Sequence, residues 1–437
     1  MGISYLRKLG APEHLYRAWR KISKKKRSQG FDRQTIERFR RDLDRNIAVI
    51  SQELRSGSFQ FTPFLGCFHQ KPGGGKRPIK IPAVRDRVVL KAIQLLIAHK
   101  FRRYDLACSF GYVRDRRVSD AVDHVRELAN AGNVWVLEAD ISAFFDTVDR
   151  DLLMQRFVRE IGIRSLNDLV TRALQVEVGN LDSFSPTDKE LFPLADSGIP
   201  QGGVLSPLLA NFYLFPFDRA MTNAGFNLVR YADDFVVMCR SREEAHAAYT
   251  LAINVLQDEL HLKLHPLDEE KSKTRITLYS KGFTFLGLHF QGGRVEPSGK
   301  AAARFRDKVT TLTDSRLSCG LLQTLTALKH TIDGWAHAYL AYDSAETFRD
   351  LDVHVRQELS RFLVAHRFIA PGQTVSCKQR RILGLPSLEG IRARGGSTGG
   401  GQRHQPTARK GAGEALDPPF RGTVGMATTL GARSSAG

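Results

Sequence analysis

Three things are scarce in this chain of 437 residues. Cysteine occurs five times, as Cys67, Cys108, Cys239, Cys319 and Cys377, and no two form a CxxC pair. That spacing excludes a zinc ribbon or a dithiol redox motif and leaves reduced, mostly buried thiols. Long apolar runs are absent: none approaches the ~18 residues a membrane-spanning helix needs, and no basic start followed by a hydrophobic stretch marks a secretory leader. The expectation is a soluble, cytoplasmic protein with no membrane contact. Acid is in the minority, 46 Asp and Glu against 65 Lys and Arg, for a formal charge of +19 and a pI near 9.9. With membranes set aside, such a balance favours nucleic acid as the polyanionic partner.

What acid there is gathers in two informative places. Tyr231-Ala232-Asp233-Asp234 lies between Phe226-Asn227-Leu228-Val229-Arg230 and Phe235-Val236-Val237-Met238-Cys239, both rich in strand formers, so it reads as the tip of a hairpin. Paired aspartates often sit in solvated turns, but a second segment fits the same chemistry. Val134-Trp135-Val136-Leu137-Glu138-Ala139-Asp140 is an apolar run that ends on a carboxylate, and a charge at the end of a buried strand needs compensation by a cation. Asp140, Asp233 and Asp234 would supply an all-oxygen set suited to Mg²⁺, with Mn²⁺ as an alternative. Two such ions about 3.5–4 Å apart clamp the attacking and leaving oxygens of an in-line displacement, which implies nucleotidyl transfer.

Taken with four further blocks in order, these residues resemble the reverse transcriptases, specifically the group II intron-like bacterial branch. Lys71-Pro72-Gly73-Gly74-Gly75-Lys76-Arg77-Pro78, with Ile81-Pro82 and Asp86-Arg87, is similar to the family's fingers segment. Gly198-Ile199-Pro200-Gln201-Gly202-Gly203-Val204-Leu205-Ser206-Pro207 resembles motif B, Glu270-Lys271-Ser272-Lys273-Thr274 resembles motif D, and Phe283-Thr284-Phe285-Leu286-Gly287 resembles the primer grip. The resemblance implies an RNA-directed DNA polymerase of α+β class, a right hand with fingers, an antiparallel palm sheet and a helical thumb. It would take an RNA template, a DNA or RNA primer and dNTPs. Asp140, Asp233 and Asp234 would be catalytic and bind two metal ions, and Ile141 beside Asp140 joins the metal set. Phe145 would lie under the sugar and exclude a 2′-hydroxyl. Gln201 would contact nucleotide and template, with Gly202 allowing close backbone approach. Lys71 and Arg77 would fold over the triphosphate, with Lys76 and Arg87 as substitutes. Lys271 would protonate the leaving pyrophosphate, with Lys273 as competitor.

Pattern divides the chain into a basic helical extension over 1–58, fingers and palm over 59–298, a helical thumb or maturase-like region over 299–370, and a tail over 371–437. In the extension Asp32 is positioned to cap a stripe of Ile36, Phe39, Leu43, Ile47, Ile50 and Leu54, and Lys24-Lys25-Lys26-Arg27 offers a contact for RNA. The stretch between Val176 and Ser197, rich in Ser, Asp and Pro, predicts an exposed loop or ribbon. In the thumb, Leu321, Leu325, Leu328, Ile332, Trp335 and Tyr339 form one apolar stripe. The tail predicts disorder, because residues 391–437 hold 11 of the 37 glycines and almost no periodic apolar pattern.

Two other functions share this chemistry. An RNA-directed RNA polymerase has the same carboxylate geometry but must admit the 2′-hydroxyl that Phe145 would block. An RNA-binding maturase would use the hand to grip and fold intron RNA. Asp218-Arg219-Ala220 and the Arg230–Arg240 stretch also resemble reverse transcriptases linked to CRISPR spacer acquisition, so intron RNA and CRISPR or defence components are both candidate partners.

Overall fold

The computed structural model describes residues 5–24, 29–70, 74–192, 197–267, 272–314, 316 and 320–396. Its organising element is a four-stranded antiparallel sheet. Two strands come first as a separate hairpin, β1 (Leu65–Gln70) with β2 (Lys76–Ile81). The sheet follows, from β3 (Trp135–Asp140), β4 (Asn227–Tyr231), β5 (Asp234–Cys239) and β6 (Arg275–Leu278), in the order β4-β5-β3-β6. A three-stranded meander of β7 (Phe283–Phe285), β8 (Leu288–Gln291) and β9 (Arg294–Pro297) leads into the thumb.

The sheet is covered on both faces, which is why its strands read as continuous apolar runs. Side chains alternate between faces, so neighbours in sequence feed different cores. Leu137, Phe235 and Val237 face the helix Ser206–Asn223 and the fingers helices, within a core that includes Leu209 and Phe217. Val136, Val229, Val236 and Met238 join Phe285, Phe305, Ile332 and Phe348 from the meander and thumb. Each such side chain contributes roughly 1.5–3 kcal/mol through burial, and together they fix the sheet between palm helices and thumb.

The thumb is helical as expected, over Gly299–Thr313, Leu321–Tyr339 and Ala345–Ala365. Leu328, Ile332 and Tyr339 of the expected stripe are buried, Trp335 packs its ring 5.2 Å from Phe305 and 5.4 Å from Phe348, and Leu321 and Leu325 are half-buried.

Three expectations need correction. The N-terminal stripe lies on two helices, Ile36–Arg41 and Leu43–Ser56, and Thr35 rather than Asp32 caps the first, its hydroxyl accepting from the Arg38 amide at 3.1 Å. Asp32 instead accepts from the Gln34 amide, the local bond that suits aspartate to turns. Residues 176–192 are largely exposed, as expected, but anchored: Phe184 and Phe192 stack on each other and meet the Phe68 ring edge-on and tilted, beside Phe64 and Val178, in a small core of their own. Its Ser and Pro residues make the turns, with Ser185 capping a short helix at Pro186–Lys189, and its rings anchor them. The tail expected from 371 onward continues as two short helices, Cys377–Ile382 and Leu388–Gly396. Asp352 holds them, pairing with Arg380 at 2.9 Å and accepting from the Leu388 and Glu389 amides at 3.0 Å each, above buried Leu385 and Leu388. Residues 397–437 lie outside the described residues.

Candidate active site

Strand register assembles the acids. Tyr231 of β4 pairs with Asp234 of β5, leaving Ala232-Asp233 as a two-residue connection, and Asp140 at the end of β3 lies opposite Asp234. The Ile141 amide donates to the Asp233 carbonyl at 3.4 Å, which ties the turn to the end of β3. Three carboxylates therefore meet at one end of adjacent strands, as the sequence implied. Ala232 is held at φ 61°, a left-handed conformation that costs a residue with a Cβ roughly 1–2 kcal/mol. The surroundings must impose it.

Electrostatics set this cluster apart. Burial and then the Asp140 charge raise the Asp233 carboxyl above its ordinary value, partly opposed by Arg77 and Lys273. Asp234 is pushed well above its ordinary value, first by desolvation and then by Asp233 and Asp140, with a hydrogen bond to Asp140 favouring its protonated form. Asp234 is exposed as a whole residue, so repulsion from its two neighbours acts on it even where solvent reaches. Nitrogen groups collect on the other side: Lys273 Nζ forms an ion pair with Asp140 Oδ2, and His265 Nε2 lies 3.7 Å from the same oxygen.

This donor set fits a hard divalent cation. The carboxylates repel one another, and an ammonium group already stands on Asp140 as a stand-in for a metal. The Ile141 side chain is hydrocarbon and buried, so its backbone carbonyl is the only ligand that residue could offer. Among the described residues no three His, Cys, Asp or Glu side chains enclose a cation. A magnesium ion needs no such enclosure, since it binds through one or two carboxylates and completes its shell with water and phosphate.

The loop at residues 198–203 is laid on the turn at Phe145 and Asp146. Gly198 at φ 71° presses against Phe145–Asp146, where a Cβ would come within 2.6 Å of the Phe145 carbonyl. The Ile199 amide donates to that carbonyl at 2.8 Å, and Arg150 holds the Gly198 and Ser197 carbonyls at 3.0 and 2.7 Å. Phe144 enters the core whereas Phe145 is only partly covered, its ring 5.2 Å from that of Phe144. Gln201 and Gly202 sit beside the fingers hairpin: the Lys80 amide of β2 donates to the Gln201 carbonyl at 3.1 Å, and Gly202 takes φ 93° against Ile79. The Gln201 side-chain amide donates to both oxygens of Asp146 at 3.1 Å.

The cations considered for the fingers separate. Arg77 is exposed on β2 and its charge reaches Asp233. Lys76 is occupied by both carboxylate oxygens of Asp188 at 2.7 Å. Arg87 donates to the Pro82 carbonyl at 2.7 Å, and burial pushes its guanidinium down to about 10. Lys71 and Lys271 lie outside the described residues.

Several residues at the site escaped sequence reasoning. Asp146 fixes the Gln201 amide, and its signal was only its place one residue past Phe145. Tyr112 stands near Asp233 with much of its ring exposed, while burial of its hydroxyl end and the Asp233 charge push its phenol up to about 12. Arg230 and Asp218 form a bidentate ion pair, both fully buried, directly behind the turn. An arginine inside an otherwise apolar strand was the available signal for that pair.

The chain is similar to known proteins over most of its described length. A family model described as reverse transcriptase (RNA-dependent DNA polymerase) matches residues 69–290, and one described as group II intron, maturase-specific domain matches residues 302–372. Protein YkfC of Escherichia coli (strain K12) is 29% identical over 279 residues, covering 55% of this chain and 70% of that protein. Group II intron-encoded protein LtrA of Lactococcus lactis subsp. cremoris is 23% identical over 332 residues, covering 60% of this chain and 53% of LtrA. This chain thus spans about half of LtrA. A chain of a solved structure, the partial Cas6-RT-Cas1–Cas2 complex, aligns at TM-score 0.36 and 25% identity over 59% of this chain and 43% of that one. The carboxylate turn, the loop at Gln201 and the fingers hairpin from His69 onward fall within a match that takes in half of the chain, and the protein belongs to the reverse transcriptase (RNA-dependent DNA polymerase) family.

Proposed function

We propose that this protein copies RNA into DNA by nucleotidyl transfer onto a primer 3′-hydroxyl, with Asp140, Asp233 and Asp234 as its catalytic carboxylates and Mg²⁺ as the working ion. The observation that carries the reading is the convergence of these three acids, with raised Asp233 and Asp234 carboxyls, at one end of adjacent strands of the central sheet. Enzymes of this family use divalent metal ions. Bound here, divalent ions would lower the pKa of the attacking hydroxyl and neutralise charge on the transferring phosphate.

The chain's own groups do the rest by positioning. Asp140 and Asp233 would hold both cations, and Asp234 would help to position them. Phe145 meets the sugar edge where a 2′-hydroxyl would project. Gln201 turns its amide NH₂ to Asp146, so its carbonyl oxygen is left to accept from a base or sugar. Arg77 meets the triphosphate from the fingers, together with Lys71. Either Lys271 or Lys273 gives a proton to the departing pyrophosphate. The helices of 299–365 grip the template-primer duplex, and the maturase-specific match at 302–372 favours intron RNA as a further ligand of that surface.

Primer extension on an RNA template tests the reading. Purified protein is expected to add dNTPs in Mg²⁺, and to add NTPs far more slowly. No extension with either nucleotide set, from protein shown to bind the template-primer, would overturn it.

A further inference from the structure

Behind the catalytic turn lies a group the polymerase chemistry does not use. Arg230 is fully buried, and all five of its N–H donors are engaged. Nε and one Nη reach the two oxygens of Asp218, which is equally buried in the helix Ser206–Asn223. The same Nη donates to Ser109 Oγ at 2.8 Å. The other Nη donates to Asn211 Oδ1 at 3.2 Å and to the Ala232 carbonyl at 2.9 Å. That last bond ends on the residue held left-handed between β4 and β5.

The turn is gripped from a second side through the same residues. Asn211 Nδ2 donates to the Gly111 carbonyl at 2.9 Å, and Gly111 lies so flat on the turn that a Cβ there would come within 2.3 Å of the Ala232 nitrogen. The Arg230 amide donates to the Cys108 carbonyl, and its own carbonyl accepts from the Phe110 amide, each at 2.8 Å.

We propose that Arg230, with Asp218 as its counter-ion, is a positioning residue that holds the Ala232-Asp233 turn in its strained conformation, so that Asp233 meets Asp140 in metal-binding geometry. The proposal rests on the carboxylate roles given under Proposed function. Burying an ion pair is a poor route to stability, since apolar residues of similar volume often serve as well or better. A fork that reaches the Ala232 carbonyl from the core supplies something an apolar pair cannot, a fixed location for one backbone oxygen beside the metal ligands. A shift of that turn by about 1 Å is enough to cost on the order of 10²-fold in rate.

The test is a pair of variants of the full chain, R230M/D218L and R230K. The double variant removes both charges together and leaves neither stranded; R230K keeps a cation for Asp218 but loses the fork to Ala232. Steady-state primer extension, template-primer affinity and the Mg²⁺ concentration for half-maximal rate are measured for each. Expected for both is a fall in kcat on the order of 10–100-fold. The Mg²⁺ midpoint should rise, while template-primer affinity stays within about twofold and circular dichroism is native. Wild-type kcat and Mg²⁺ midpoint in a folded variant would overturn the positioning role and leave the pair as scaffold. If R230M/D218L does not fold, R230K alone decides by the same criteria. Failure of the polymerase reading itself is distinct, because the wild-type protein would then not extend a primer.

Discussion

At the scale of single residues, the candidate site is marked by carboxylates that raise one another. Because Asp234 has a folded-state value above its ordinary 3.8, the folded protein is penalised relative to the unfolded chain once pH rises past the unfolded value, and the penalty is complete above the folded value. Asp234→Asn should therefore raise the melting temperature of metal-free protein near neutral pH, with a gain that shrinks as pH falls towards 4, while extension is lost. Thermal unfolding across pH in the presence of a chelator measures this, and a melting temperature unchanged or lower at neutral pH would contradict the repulsion. Phe145 answers to a different test. Phe145→Val removes a partly exposed ring whose neighbour Phe144 already fills the core, so the fold should tolerate it and NTP incorporation should rise relative to dNTP. Competition between dNTP and NTP in single-nucleotide extension gives the ratio, and unchanged discrimination would return Phe145 to a packing role.

At the scale of elements, sequence reasoning succeeded where a pattern has a local cause. The β4–β5 hairpin, β3 and the helix stripe through Leu328 and Ile332 were legible because apolar periodicity and turn residues act within a few positions. It failed where long-range contacts override composition. Ser, Asp and Pro between 176 and 197 read as solvent-exposed, yet Phe184 and Phe192 find Phe68 on a strand over a hundred residues away. Arg230 and Asp218 were invisible as a pair because their meeting depends on how a helix lies across the sheet, and Asp146 because its partner Gln201 arrives from another loop. The C-terminal helices make the same point. Truncation after residue 396 should leave extension and stability intact. Truncation after 370 removes buried Leu385 and Leu388 and strands Asp352 without Arg380, and should lower the melting temperature by several degrees. Equal melting temperatures for the two truncations would mean that the helices Cys377–Ile382 and Leu388–Gly396 are not part of the folded unit.

At the scale of the whole molecule, charge and architecture serve separate ends. The formal +19 supplies affinity for nucleic acid without regard to sequence, and the two-faced sheet supplies the fixed geometry that chemistry needs. Neutralising Lys24, Lys25, Lys26 and Arg27, of which only Lys24 is among the described residues, should flatten the salt dependence of template binding. The log–log slope should fall by roughly 0.7–0.9 for each phosphate that these side chains no longer neutralise, with turnover at saturating template unchanged. Binding titrations over a range of salt give that slope, and an unaltered slope would place these charges away from the template.

The central claim is that three carboxylates at the end of one sheet make this chain an RNA-directed DNA polymerase. Single-turnover extension of a primer on RNA by Asp233→Asn, with template-primer affinity measured on the same preparation, tests it most directly. The account predicts a rate lowered on the order of 10³-fold or more, with affinity nearly unchanged, because positioned charge at the metals supplies the catalysis while the basic surface supplies the binding. Extension at close to the wild-type rate would contradict it.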